Sequence, residues 1–173
     1  MNKDFDMVHV RLVHDARMLG EEPIITPEAA IEFVKKELVQ YDREVLVLVN
    51  LSTKAVPINM QIASMGDISS SIVTGREIFK SSILSNAASI ILFHNHPSGD
   101  PSASQADISV TKKIALAGEL LGIEVVDHII VGGKSGKYFS MMEEHLLGKQ
   151  VMSQWRKGML QEKGRTTKSM RHL

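Results

Sequence analysis

The chain has 173 residues, enough for one domain with a sizeable core. Lysine plus arginine balance aspartate plus glutamate at 20 each, so no global field marks it for nucleic acid or a membrane surface. The absence of cysteine excludes disulfides, thiolate metal ligands and cysteine nucleophiles together, and 43% hydrophobic content is that of an ordinary soluble protein.

The N-terminus, Met1 to Asp6, carries charges where a signal peptide needs an apolar run. No apolar stretch approaches the length of a bilayer span, so a cytoplasmic location without membrane contact is expected. Val8-His9-Val10-Arg11-Leu12-Val13 alternates and predicts a strand at a sheet edge. Thr26-Pro27-Glu28 starts a helix, with threonine as cap, proline at the first helical position and an acid near the positive end of the dipole. Ala30, Ile31, Val34 and Leu38 recur at helical spacing through about Tyr41.

Val45 to Val49 is apolar and mostly β-branched, which predicts a central strand buried on both faces. Val56 to Ile62 alternates and should pair with it across Ser52-Thr53-Lys54. A second helix is predicted over Arg76 to Asn86, with Ile78, Phe79, Ile83 and Leu84 as its apolar residues. Ser89 to Phe93 reads as another buried strand, and a Pro/Ser/Gly loop follows it. A third helix runs from Ser102 or Ser104 to Leu121, with Val110, Ile114, Ala117 and Leu121 on one face. Ile123 to Val131 is a strand, and Gly132 to Gly136 turns it into Tyr138-Phe139-Ser140. The pattern is α/β, a sandwich of mixed strand order. Residues 1–22 read as an N-terminal strand or arm, 23–150 as the metal-binding domain argued below, and 151–173 as a basic tail. From Gln154 onward Arg156, Lys157, Lys163, Arg165, Lys168 and Arg171 face only Glu162. That composition suits a solvated tail, or an arm making weak nucleic-acid contact.

The chemistry is concentrated in His94-Asn95-His96-Pro97-Ser98-Gly99-Asp100 and the residues after it. Side chains two apart at a strand's end point to the same side, so His94 and His96 can share one ion. Asp107 follows at a distance that a short loop can fold back. Two imidazoles and a carboxylate with a position left open is the arrangement of a catalytic zinc rather than a structural one. Taken alone, Ser104-x-x-Asp107 is also a helix capping box. Hydrolysis at such a centre needs a carboxylate to move the water's proton, and an oxyanion donor, for which Ser104 is placed. Glu44, at the start of the buried strand, and Glu77, in the first turn of the second helix, are both candidates for the base.

His94-x-His96 followed, after seven residues, by Ser104-x-x-Asp107 resembles the motif of the JAB/MPN-type (JAMM) zinc metalloproteases. His94 to Asp100, Arg76-Glu77-Ile78-Phe79 and Asp127-His128-Ile129-Ile130 resemble more narrowly the RadC-like branch found in bacteria. The resemblance extends over roughly residues 23 to 147. It implies a cytidine-deaminase-like α/β/α sandwich with a mixed central sheet, one Zn2+ held by His94, His96 and Asp107, and a glutamate several dozen residues upstream near the start of a core strand. Glu44 fits that place and Glu77 does not. The implied activity is hydrolysis of a peptide or isopeptide bond through a metal-activated water, with Glu44 as general base and Ser104 at the oxyanion, on a peptide or protein substrate. His128 and Asp127 are candidates for support near the site, Asp127 by orienting a ligand imidazole.

Longer RadC-like proteins are expected to carry an N-terminal helix-hairpin-helix region, and the chain resembles a short form without it. The alternative function is a DNA-associated protein of RadC type, related to repair or mobile elements. The letters His-Asn-His also suggest an HNH nuclease, but those enzymes spread the three residues over a ββα unit. A zinc nucleobase deaminase would need a Cys-x-x-Cys pair, which the chain lacks.

Overall fold

A computed structural model describes residues 9–15, 22–38, 40–66 and 74–147. In chain order the elements are α1 (Pro27–Leu38), β1 (Val45–Leu51), β2 (Pro57–Met65), α2 (Gly75–Leu84), β3 (Ser89–Asn95), α3 (Gln105–Leu121), β4 (Glu124–Val131), a short 3-10 turn (Gly133–Ser135) and β5 (Tyr138–Ser140). The strands form one sheet in the order β2-β1-β3-β4-β5. β1 runs antiparallel to both β2 and β3, β3 and β4 are parallel, and β5 returns antiparallel to β4. Helix α3 is the crossover that a parallel β3–β4 pair requires.

Strand alternation divides the core into two layers. Val45, Val47, Val49 and Leu51 of β1, with Ile91 and Phe93 of β3, pack against Ala30, Val34 and Leu38 of α1. Leu46, Leu48, Ile90 and Leu92 pack on the other side against Ile78 and Phe79 of α2 and Ile114 of α3. The result is an α/β/α sandwich, as the sequence predicts, with β1 buried at all seven positions. Thr26 caps α1 by accepting the Ala29 N–H at 3.2 Å.

Three expectations need correction. The predicted N-terminal strand does not form over residues 9–13, where Val10 and Val13 are exposed and no strand among the described residues pairs with them. Ile83 and Leu84 of α2 face solvent, while Ser81 and Ser82 are buried. The cause is buried Asn50 on β1, whose Nδ2 donates to Asn59 Oδ1 at 2.6 Å and to Ser81 Oγ at 3.0 Å, so the helix must turn serine inward. On α3 Ile114 is buried and Val110 and Ala117 pack partly buried against the same core as expected, but Leu121 is half exposed, and Asp107, Thr111 and Gly118 are turned inward as well. Gly118 belongs there because a Cβ would run into the Ile123 carbonyl oxygen and crowd the Phe79 ring. Among the described residues no helix is long and apolar enough to cross a membrane. The basic tail lies outside the described residues.

Candidate metal centre

The end of β3 carries the site. His94 is paired with Leu46 of β1 and Ile130 of β4, so its ring position is fixed by main-chain ladders on both sides. It shares a face with Leu92 and Leu48, under α2 and α3. One residue beyond β3, His96 N–H still donates to the Val131 carbonyl at 2.8 Å. The two imidazoles meet edge to face with centroids 4.6 Å apart.

The loop after His96 fixes its tautomer. His96 Nδ1 lies 2.7 Å from the Asp100 carbonyl oxygen, which can only accept, so Nδ1 carries the proton and Nε2 presents a lone pair. The β4–β5 turn braces this loop. Ser135 Oγ donates its hydrogen chiefly to the Gly132 carbonyl at 2.6 Å and reaches the Gly99 carbonyl at 3.1 Å, and a Cβ on Gly132 would collide with that same Gly99 carbonyl.

Asp107 arrives from the other direction, in the first turn of α3. The capping box expected from Ser104-x-x-Asp107 is present: Asp107 N–H donates to Ser104 Oγ, while Ser104 N–H and Oγ–H donate to Asp107 Oδ2 at 2.8 and 2.6 Å. Both Ser104 bonds use Oδ2, so Oδ1 is the oxygen turned to His94, 3.5 Å from Nδ1. Oδ2 is 4.0 Å from His96 Nε2. Glu44, one residue ahead of β1, places Oε2 at 3.6 Å from His94 Nε2. Among the described residues, the compact group able to offer one ligand atom each is Glu44, His94 and His96. Glu77 is elsewhere, paired with Lys80 on the surface of α2 at 2.6 Å.

The donors fit a metal ion on a physical test. Both nitrogens of His94 are buried and neither makes a hydrogen bond, a costly state for an imidazole 1% exposed. The edge of a tetrahedron with about 2.1 Å bonds is roughly 3.4 Å, close to the 3.6 Å from Glu44 Oε2 to His94 Nε2, while Asp107 approaches the other His94 nitrogen, Nδ1, at 3.5 Å and His96 Nε2 at 4.0 Å, so a single ion can use only one of the two His94 contacts. Burial pulls the His94 pKa below its ordinary value, outweighing the Asp107 and Glu44 carboxylates that raise it, while nearby His96 lowers it further. A neutral imidazole is the form that ligates.

His128 lies behind the site on β4, its ring centroid 6.1 Å from that of His94. Thr111 Oγ1 donates to the Asp107 carbonyl at 2.6 Å, so its other contact, at 2.6 Å, must be accepted from His128 Nδ1–H. His128 is fully buried and its pKa is pushed down to about 3, chiefly by that burial. Asp127 does not orient a ligand imidazole. It faces the other side of the sheet and accepts from Ser140 Oγ, Met142 N–H and His128 N–H. Sequence reasoning missed Asn95, Thr111 and Gly132; only the glycine pair at 132–133 carried a local signal, that of a turn.

A family model for the RadC-like JAB domain matches residues 24–146. The chain is 44% identical over 124 residues to a UPF0758 protein of Clostridium acetobutylicum, covering 72% of this chain and 53% of that protein. It is 45% identical over 116 residues to one of Syntrophomonas wolfei (67% and 49%) and 41% identical over 127 residues to one of Methanosarcina acetivorans (72% and 55%). The chain thus spans about half the length of the curated relatives it matches.

Proposed function

The chain belongs to the RadC-like JAB domain family, and from that premise we propose that it is a zinc-dependent hydrolase of peptide or isopeptide bonds with Glu44 as general base. The observation that carries the reading is the buried, unbonded His94 imidazole set between two carboxylates of different character. Asp107 is 4% exposed and belongs with the ligands; Glu44 is 33% exposed and belongs where water and substrate enter. His94, His96 and Asp107 would hold the ion, a nitrogen and oxygen set suited to zinc that leaves a position free for chemistry. A zinc ion there supplies Lewis acidity, polarising a carbonyl and bringing the acidity of water close to neutrality.

Glu44 takes the proton of the attacking water on its carboxylate and hands it to the departing amine. Backbone bonds hold both residues flanking Glu44, so its carboxylate needs little reorganisation for either transfer. Ser104 stands exposed at the start of α3. Its hydroxyl hydrogen, donated to Asp107 Oδ2 in the resting site, turns outward to the oxygen on which negative charge develops.

The test is a library of peptides and isopeptide-linked substrates, incubated with zinc-loaded protein. Cleavage should appear and should fall by about 100-fold or more in Glu44→Gln with zinc content unchanged. Full activity in Glu44→Gln would overturn the assignment of the base.

A further inference from the structure

We propose that Asn95 is a positioning residue for Glu44: its carboxamide brackets the Glu44 peptide and sets where the carboxylate meets His94. The inference rests on the reading of Glu44 as the general base. β1 and β3 pair residue by residue from Leu51 opposite Ser89 to Leu46 opposite His94, and the ladder ends there. One step further on, a side chain replaces the main chain. Val45 N–H donates to Asn95 Oδ1 at 2.7 Å, and Asn95 Nδ2 donates to the Arg43 carbonyl at 3.0 Å. A carboxamide has the donor and acceptor of a peptide group, so it acts as one more rung that spans three residues of the neighbouring chain.

The residue at the centre of that span is Glu44. From the opposite side, Gly66 N–H donates to the Glu44 carbonyl at 2.8 Å. Main-chain groups before, at and after Glu44 are therefore all held, and none of these bonds uses its carboxylate. Just ahead, the exposed Asp42 and Arg43 side chains pair with each other at 2.9 Å and with no other side chain among the described residues. Without Asn95 the approach to β1 would have no partner on the β3 side.

Asn95 is 3% exposed, and alternation along β3 sends its side chain to the face opposite His94. It is thus turned away from the ion the histidines would share. The residue between the two histidines fixes the register between those ligands and a glutamate from a distant part of the chain. A misplacement of about 1 Å in such a group costs about 100-fold in rate.

The experiment places Asn95→Ala and Asn95→Asp in both wild-type and Glu44→Gln backgrounds, loaded with zinc or with cobalt(II). Asn95→Asp keeps the acceptor for Val45 N–H but turns an oxygen toward the Arg43 carbonyl in place of the donor, so it should move the rate and the band in the same direction as Asn95→Ala. Expected for Asn95→Ala are an unchanged metal content, a kcat on a cleaved peptide about 100-fold lower with little change in KM, and a displaced cobalt(II) visible band. In the Glu44→Gln background the same substitution should change neither rate nor band further. Equal losses in both backgrounds, or an unmoved band in Asn95→Ala when Glu44→Gln moves it, would overturn the proposal. If Glu44→Gln alone leaves rate and band untouched, the base assignment fails and the role of Asn95 falls with it, a distinguishable result. Should Asn95→Ala not fold, Asn95→Asp carries the same comparison.

Discussion

Thr111→Val probes how the first turns of α3 are tied to β4 behind the metal centre. Valine keeps the shape of threonine and removes the hydroxyl, which donates to the Asp107 carbonyl and accepts from His128 Nδ1–H, both at 2.6 Å. Losing two neutral hydrogen bonds costs about 1 kcal/mol each, and leaving the buried His128 donor unpaired adds about 1–3 kcal/mol. The Asp107 carbonyl lies within α3 and suffers less, so the net expectation is about 2–4 kcal/mol. For a chain of this length that corresponds to a fall in Tm of roughly 5–15 °C. Urea denaturation of the metal-free protein measures the first quantity and calorimetry the second. In a His128→Phe background the orphaned donor is gone, and Thr111→Val should cost about 1 kcal/mol. A single variant within about 0.5 kcal/mol of wild type, or equal costs in the two backgrounds, would refute the proton assignment on which the estimate depends.

Asp127 supplies a prediction with a definite sign in pH. Burial raises its carboxyl from 3.8 to about 6, against the three donors that lower it. The folded protein therefore holds this proton more tightly than the unfolded chain, and the associated stability is full below pH 3.8 and lost as pH rises through about 6. That difference is about 3 kcal/mol, so Asp127→Asn should gain on wild type by that order between pH 4 and pH 7.5 in urea titrations; a gap that stays constant with pH would contradict it. Gly132→Ala should push the Gly99 carbonyl and the His96 loop. The expected cost is about 1–3 kcal/mol of stability and about 10-fold or more in zinc affinity, read by metal titration; unchanged affinity would show that the turn does not brace His96.

What the sequence made legible and what it hid divide along physical lines. His94, His96, Ser104 and Asp107 lie close together in the chain, and strand alternation plus helix-cap spacing are local rules, so their convergence could be read directly. Glu44 could not be separated from Glu77 by such rules; the family resemblance chose it, and the structure puts it 3.6 Å from His94 while Glu77 pairs with Lys80. Asn95 carries no local signal because its partners, Arg43 and Val45, are about fifty positions away. The polar part of the inward faces of α2 and α3 was hidden for a related reason, although Ile78, Phe79, Val110, Ile114 and Ala117 do pack inward as expected. Periodicity finds apolar residues, whereas buried Asn50 draws Ser81 inward and His128 draws Thr111. The N-terminal alternation has the period of a strand, but residues 9–13 pair with no strand among the described residues.

The sharpest measurement is zinc stoichiometry and affinity in Asp107→Ala, His94→Ala and Glu44→Gln, compared with the wild type. Glu44 and Asp107 both approach the histidines closely enough to compete for the role of third ligand. The account predicts one zinc per chain in the wild type and in Glu44→Gln, and loss of zinc in His94→Ala and Asp107→Ala. Zinc retained by Asp107→Ala and lost by Glu44→Gln would exchange the two carboxylates and contradict the proposed hydrolytic centre.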